Sequence, residues 1–161
     1  MSGRTEPDHA GVIAHPPLLY LGFLAVAFAL DRWIWPIDIL ERLPAGVRYG
    51  AGGLLIVAAI AVVAMSARRF RAAGTTVPTN LPTEAIVTGG PYRLSRNPIY
   101  IALTTFYLGI AVAGAADWAI LLLPLLLLIM NEGVIKREEA YLERKFGAAY
   151  LDYKARVRRW L

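Results

Sequence analysis

The chain has 161 residues, 57% of them hydrophobic, with a formal charge of +5, so its apolar share exceeds the roughly 45–50% of soluble domains. It has no cysteine and only two histidines, His9 and His15, both ahead of the first apolar run. This excludes disulfides, thiolate nucleophiles and Cys-ligated zinc, and no metal site or Ser-His-Asp triad is expected.

Residues 1–15 carry Arg4, Glu6 and Asp8 without a compact apolar core or cleavage site, which predicts a cytoplasmic segment and not a signal peptide. A membrane span needs about 20 mostly apolar residues. The first candidate runs from about Pro16 to Trp33, with prolines suited to a first helical turn and Trp33 and Trp35 at the level of an interfacial aromatic belt. The second, about Val47–Ala67, is rich in glycine and alanine, which allows close packing in lipid and predicts that it helps line an opening for an apolar substrate. The third, about Pro98–Gly114, and the fourth, about Asp117–Asn131, are separated by Ala115 and Ala116 and should form a tight antiparallel hairpin, with Pro124 a possible kink. Both are short for full spans, so continuation into polar flanks or shallow insertion is expected. After Asn131 the composition turns charged: Glu132–Phe146 reads as an amphipathic helix, stopped by Gly147. A second amphipathic piece carries Tyr150, Tyr153, Val157 and Trp160.

The loop between the second and third helices holds Arg68, Arg69, Arg71, Arg93 and Arg96, and the C-terminal tail holds eight more basic residues, whereas the hairpin carries only Asp117. By the positive-inside rule the loop, the tail and both termini face the cytoplasm. The basic balance, with a pI near 9.7, is therefore read as topology and contact with anionic lipid, and no nucleic-acid partner is expected. The expected architecture is an all-α integral membrane protein of about four transmembrane helices, with amphipathic C-terminal helices in the cytoplasm. Its parts are the segment 1–15, two spans in 16–67, and a catalytic region in 68–161.

Two polar stretches flank the hairpin, where a membrane protein needs a reason for polar groups. In Thr75–Tyr100, Gly89-Gly90-Pro91 signals a turn, and Asn97-Pro98 reads as an N-cap followed by proline at the first helical position. That helix start is complete as structure alone, yet its free N–H groups also suit an anionic ligand group. Tyr92 and Tyr100 could pack on a planar ring or lie at the interface. The second stretch, Arg137-Glu138-Glu139, is either a solvated face with pairs such as Glu132–Lys136, or carboxylates for a cationic or hydroxyl-bearing cofactor.

Gly90-Pro91-Tyr92-Arg93-Leu94-Ser95-Arg96-Asn97-Pro98-Ile99-Tyr100, then a hairpin, then Arg137-Glu138-Glu139-Ala140-Tyr141-Leu142 with Phe146-Gly147, Tyr150, Tyr153 and Val157, resembles the isoprenylcysteine carboxyl methyltransferase and phospholipid methyltransferase superfamily. The resemblance spans roughly Thr75–Trp160. It implies a membrane-embedded transferase that moves a methyl group from S-adenosylmethionine to a lipid-like or other small apolar acceptor. By the same resemblance Glu84, Ala85, Ile86 and Val87 would line the cofactor. Tyr92 and Asn97-Pro98-Ile99-Tyr100 would hold its adenosyl or methionyl part, and Glu138 would take its ribose hydroxyls or ammonium. Glu139 would replace Glu138 if the register slipped by one. The family's histidine before proline is Asn97 here, which cannot titrate near neutral pH, and its carboxylate-binding arginine position is Val134. The acceptor, any catalytic base and the oligomeric state stay open. A membrane oxidoreductase of sterol-reductase-like architecture and a non-enzymatic membrane module are the competing readings.

Overall fold

Lipid offers no hydrogen-bond partners, so apolar runs of this length must satisfy their own backbone and fold as helices. In the computed structural model, which describes residues 10–75 and 83–161, no strand occurs among the described residues. The expectations for residues 1–9, including His9, and for the linker residues 76–82 lie outside them.

Helix α1 spans Pro16–Ala29, and a π turn, Leu30–Ile34, extends it. Helix α2 spans Ala45–Ala72, longer at both ends than its apolar core suggests. Its C-terminal extension carries the arginine cluster, which belongs there because cations favour the last helical turn. After the 3-10 turn Gly90–Arg93 come α3, Pro98–Ala113, and α4, Asp117–Met130. The turn between them puts Ala115 at φ +52°, the left-handed region, and returns the Ala116 N–H to Ala111 O at 2.8 Å.

The short fourth helix continues into its polar flank, one of the two arrangements expected of it. A π turn at Asn131–Ile135 joins α4 to α5, Lys136–Phe146, so Asp117–Phe146 is one run of 30 residues. A π turn holds one extra residue, which advances the helix face by about 100°. The chain thereby passes from an apolar rod to a polar one without a loop. Gly147, at φ +53°, then turns the chain into α6, Ala148–Arg156.

Three of these rods, Pro16–Ile34, Ala45–Ala72 and Asp117–Phe146, are long and apolar enough to cross a membrane, each holding an 18-residue stretch of mean hydropathy 1.5, 2.2 and 2.1 respectively. Helix α3 is apolar but shorter, its 16 residues rising about 24 Å. The core joins Tyr20, Leu24 and Ala27 of α1 to Tyr107 and Ala111 of α3 and to Ala119, Leu126 and Met130 of α4. Its phenols are satisfied inside: Tyr20 pairs with Thr104 Oγ1 at 2.8 Å, and Tyr107 donates to Ala119 O at 2.8 Å. Helices α2 and α3 approach backbone to backbone, since a Cβ on Gly52 would stand 2.6 Å from Gly109 O. Where α4 begins, Asp117 accepts the Leu40 N–H and Asp31 accepts the Trp118 N–H at 3.2 Å, which ties the α1–α2 loop to the hairpin.

Candidate functional site

The site lies at the opposite end of that rod, where α5 and α6 meet the N-terminus of α3. Its organising contact is an ion pair. Arg96, just before the Asn97-Pro98 helix start, donates from Nε and NH2 to Glu139 Oε1 at 3.1 and 2.9 Å. Arg159 closes on the same carboxylate from the C-terminal tail, NH2 to Oε2 at 2.6 Å. The Arg96 and Glu139 side chains are 9% and 6% exposed, so the two charges are mutually necessary. Arg96 NH1 also caps the end of α6, donating to Lys154 O at 3.0 Å and Val157 O at 2.7 Å. The hydrogen bonds that Arg159 donates to Glu139 raise its guanidinium pKa further above the usual range.

The tail is held by more than charge. Ser95 Oγ and Asn97 Nδ2 both donate to Arg159 O, at 3.0 and 3.1 Å, and the Arg96 N–H donates to Arg158 O. Asn97 occupies the N-cap position of α3, but its side chain does not cap the helix. It is spent on tying down the tail. Val134 is wholly buried. Lys136 and Arg137 turn outward, to Glu132 at 2.7 Å and to Gly11 O at 3.0 Å.

Neighbouring helix positions face about 100° apart, so Glu138 and Glu139 do different things. Glu138 is 5% exposed and accepts one hydrogen bond among the described residues, from Tyr100 OH at 2.6 Å. Around it lies a cleft whose open space, solvent at its mouth included, is about 610 Å³. Of the residues singled out from sequence, Ala85, Ile86, Val87, Tyr92, Asn97, Ile99, Tyr100, Glu138 and Glu139 line it. Glu84 and Pro98 do not: Glu84 is exposed, with its N–H bonded to Thr75 Oγ1, and Pro98 is buried as the first residue of α3.

Phe70, Thr83, Arg96, Leu142, Tyr150 and Tyr153 complete the wall. Phe70 meets Tyr92 edge-on at 5.4 Å, and Tyr153 OH donates to Tyr92 O at 2.8 Å. Burial raises the Tyr92 and Tyr150 phenols far above their ordinary pKa and pushes Tyr153 up to about 12, so all three stay neutral donors. Thr83 is held by its N–H, which donates to Tyr141 OH at 3.2 Å, while its buried Oγ1 has no partner among the described residues. A hydroxyl in that position can donate to or accept from a ligand group or water. The wall therefore offers aromatic and aliphatic surface, one open hydroxyl and one singly bonded carboxylate. That set fits a ligand with a planar apolar part and hydroxyl or cationic groups. No cluster of three metal-ligating side chains occurs among the described residues.

Arg96, Tyr150 and Tyr153 lie in the stretches that carry the family resemblance but were not singled out there as site residues. The buried demand of Glu139 for a cation was the signal for Arg96; Thr83 had none.

A family model described as phospholipid methyltransferase matches residues 47–149, from the first turn of α2 to the start of α6. An uncharacterized protein of Haemophilus influenzae is 57% identical over 35 residues, 22% of this chain and 56% of that protein; the matched part of the chain thus spans little more than half of that relative. No solved structure matches.

Proposed function

The chain belongs to the phospholipid methyltransferase family, and we propose that it transfers a methyl group from S-adenosylmethionine to a lipid-like or other small apolar acceptor at the membrane surface. The observation that carries the reading is the joining of two separated polar segments, Thr83–Tyr100 and Glu138–Tyr153, around one cleft. When bound there, S-adenosylmethionine supplies a methyl on a positively charged sulfur, which a nucleophile's lone pair displaces while sulfur keeps the bonding electrons.

The chain's own residues have positioning work to do. Glu138 would hold the ribose hydroxyls or the ammonium, with Tyr100 fixing its carboxylate. Thr83 Oγ1 would take a further polar group, and Phe70, Ile86, Val87 and Tyr92 would pack the ring. Well-oriented reactants gain up to about 7–11 kcal/mol from proximity alone, so a cleft that orients and excludes water suffices without a titrating base. In this reading Asn97 holds the tail and moves no proton. The polar end of the molecule faces the cytoplasm, both termini lie on that side, and α3 completes a fourth pass. The acceptor enters from the lipid side.

Thermal-shift measurement on the purified protein tests this. S-adenosylhomocysteine should raise the midpoint, reflecting a stabilisation of roughly 2.7 kcal/mol at a hundredfold excess over Kd, while NADPH should not. Stabilisation by NADPH instead would replace the methyltransferase with an oxidoreductase.

A further inference from the structure

The π turn at Asn131–Ile135 decides more than the path of the rod. Its extra residue advances every later helix position by about 100°, which is also the angle between adjacent positions. Without it, Glu139 would take the direction that Glu138 now holds, and Ala140 would face Arg96. One added residue therefore selects which carboxylate enters the cleft beside Tyr100 and which meets Arg96. We propose that the N-terminal strap, residues 11–13, positions Glu138 by docking on this turn and holding its register, with Ile13 and Gly133 as positioning residues; that Glu138 serves a methyl donor rests on the function proposed above.

Three observations support the strap's role. First, its backbone is bonded at the turn. The Ile13 N–H donates to Gly133 O at 3.2 Å, and Arg137, the residue before Glu138, donates from NH1 to Gly11 O at 3.0 Å. One contact grips the turn and the other grips the start of α5. Gly11 has open space where a Cβ would stand but sits at φ +57°, so glycine is needed there for its backbone conformation.

Second, the turn is notched to receive the strap. Gly133 is buried, and a Cβ on it would stand 2.2 Å from Ile13 Cδ1 and 2.7 Å from Ile13 Cγ1. Ile13 is 53% exposed, so general burial does not account for its place. The missing side chain at Gly133 does.

Third, the first residue of the turn is held separately. Arg159 NH1 donates to Asn131 Oδ1 at 3.1 Å while its NH2 holds Glu139. The C-terminal tail thus fixes where the turn begins, and the strap fixes its middle. Neither Ile13 nor Gly133 lines the cleft, so their effect on a ligand passes through Glu138.

The chain has no cysteine, so Ile13→Cys/Gly133→Cys in the full-length protein reports docking directly. Ile13 Cβ lies 3.8 Å from a Cβ built on Gly133, inside the roughly 3.5–4.5 Å of disulfide-bonded pairs. Copper phenanthroline with oxygen should oxidise the two thiols to an intramolecular disulfide, found by mass spectrometry of the linked peptides from monomeric protein. Absence of that bond would overturn the proposal.

Register is read separately. Gly133→Ala drives the strap off, because Ile13 is stiff at χ1, and should weaken S-adenosylhomocysteine binding on the order of tenfold, measured well below the melting midpoint. Ile13→Ala/Gly133→Ala clears the collision and leaves the two Cβ atoms 3.8 Å apart, so it should restore the affinity. A purely structural role would lower the midpoint and leave affinity alone; that result, or a loss the double variant does not rescue, would overturn the proposal. Glu139→Gln should also lower the melting midpoint less in Gly133→Ala than in the parent, because the pair with Arg96 is already loosened there. Equal drops would overturn it too. The disulfide and the melting comparison need no cofactor, so a parent that bound no S-adenosylhomocysteine while both held would sink the methyltransferase reading and uphold the strap.

Discussion

Gly52 and Gly53 are neighbours in α2 with the same backbone and opposite surroundings. A Cβ on Gly52 would stand 2.6 Å from Gly109 O and 2.8 Å from Ala113 Cβ, whereas one on Gly53 meets nothing within 4 Å. The first approach falls 0.8 Å short of the 3.4 Å at which ordinary contact begins, and its partner is helix backbone that cannot swing aside. Alanine gains about 1 kcal/mol over glycine in helix propensity at either position. At Gly52 that gain is opposed by overpacking of about 1–3 kcal/mol. Gly53→Ala should therefore melt at or slightly above the parent, and Gly52→Ala should melt below Gly53→Ala by the overpacking term. At about 2–4 °C per kcal/mol for a chain of this size, the gap is several degrees, readable from the fluorescence of the four tryptophans on heating in detergent. A Gly52→Ala variant that melts with Gly53→Ala would show that α2 and α3 do not meet at these glycines.

Glu139→Gln leaves the buried Arg96 without its counter-charge and should cost about 3 kcal/mol, seen as a lowered melting midpoint. Arg159→Leu removes the more exposed partner and should cost about 1 kcal/mol, with a larger loss of S-adenosylhomocysteine affinity as the tail loosens from Asn97 and Ser95. Ala115→Gly relieves a side chain at φ +52° and should stabilise by about 1 kcal/mol. Tyr100→Phe deprives Glu138 of its hydrogen-bond donor, and calorimetry should find ligand affinity lowered on the order of tenfold.

The helices were legible in the sequence because lipid enforces them: apolar length alone locates α1 to α4 within a few residues, and Pro98 fixes the start of α3. The composition shift after Asn131 marked the change from apolar to polar helix but not the form of the junction. Gly133 and the polar residues around it sit within a π turn, and local sequence does not distinguish that from a loop. At the site, Glu138 and Tyr100 were recognisable from their motif, yet the division of labour between Glu138 and Glu139 depends on which arginines reach them. Arg159 comes from 20 residues away in sequence and Arg96 from 43, and no local pattern encodes that meeting. Thr83 owes its place to a hydrogen bond from its backbone to Tyr141 on another element, which is invisible to spacing.

Titration calorimetry of S-adenosylhomocysteine into the parent protein, Glu138→Gln and Glu143→Gln addresses the cleft most directly. Glu143 lies on the same helix but pairs with Lys154 away from Glu138. The account predicts one site per chain, weakened roughly 10- to 150-fold by Glu138→Gln and unaffected by Glu143→Gln. No heat with the parent, or equal affinity across all three proteins, would contradict it.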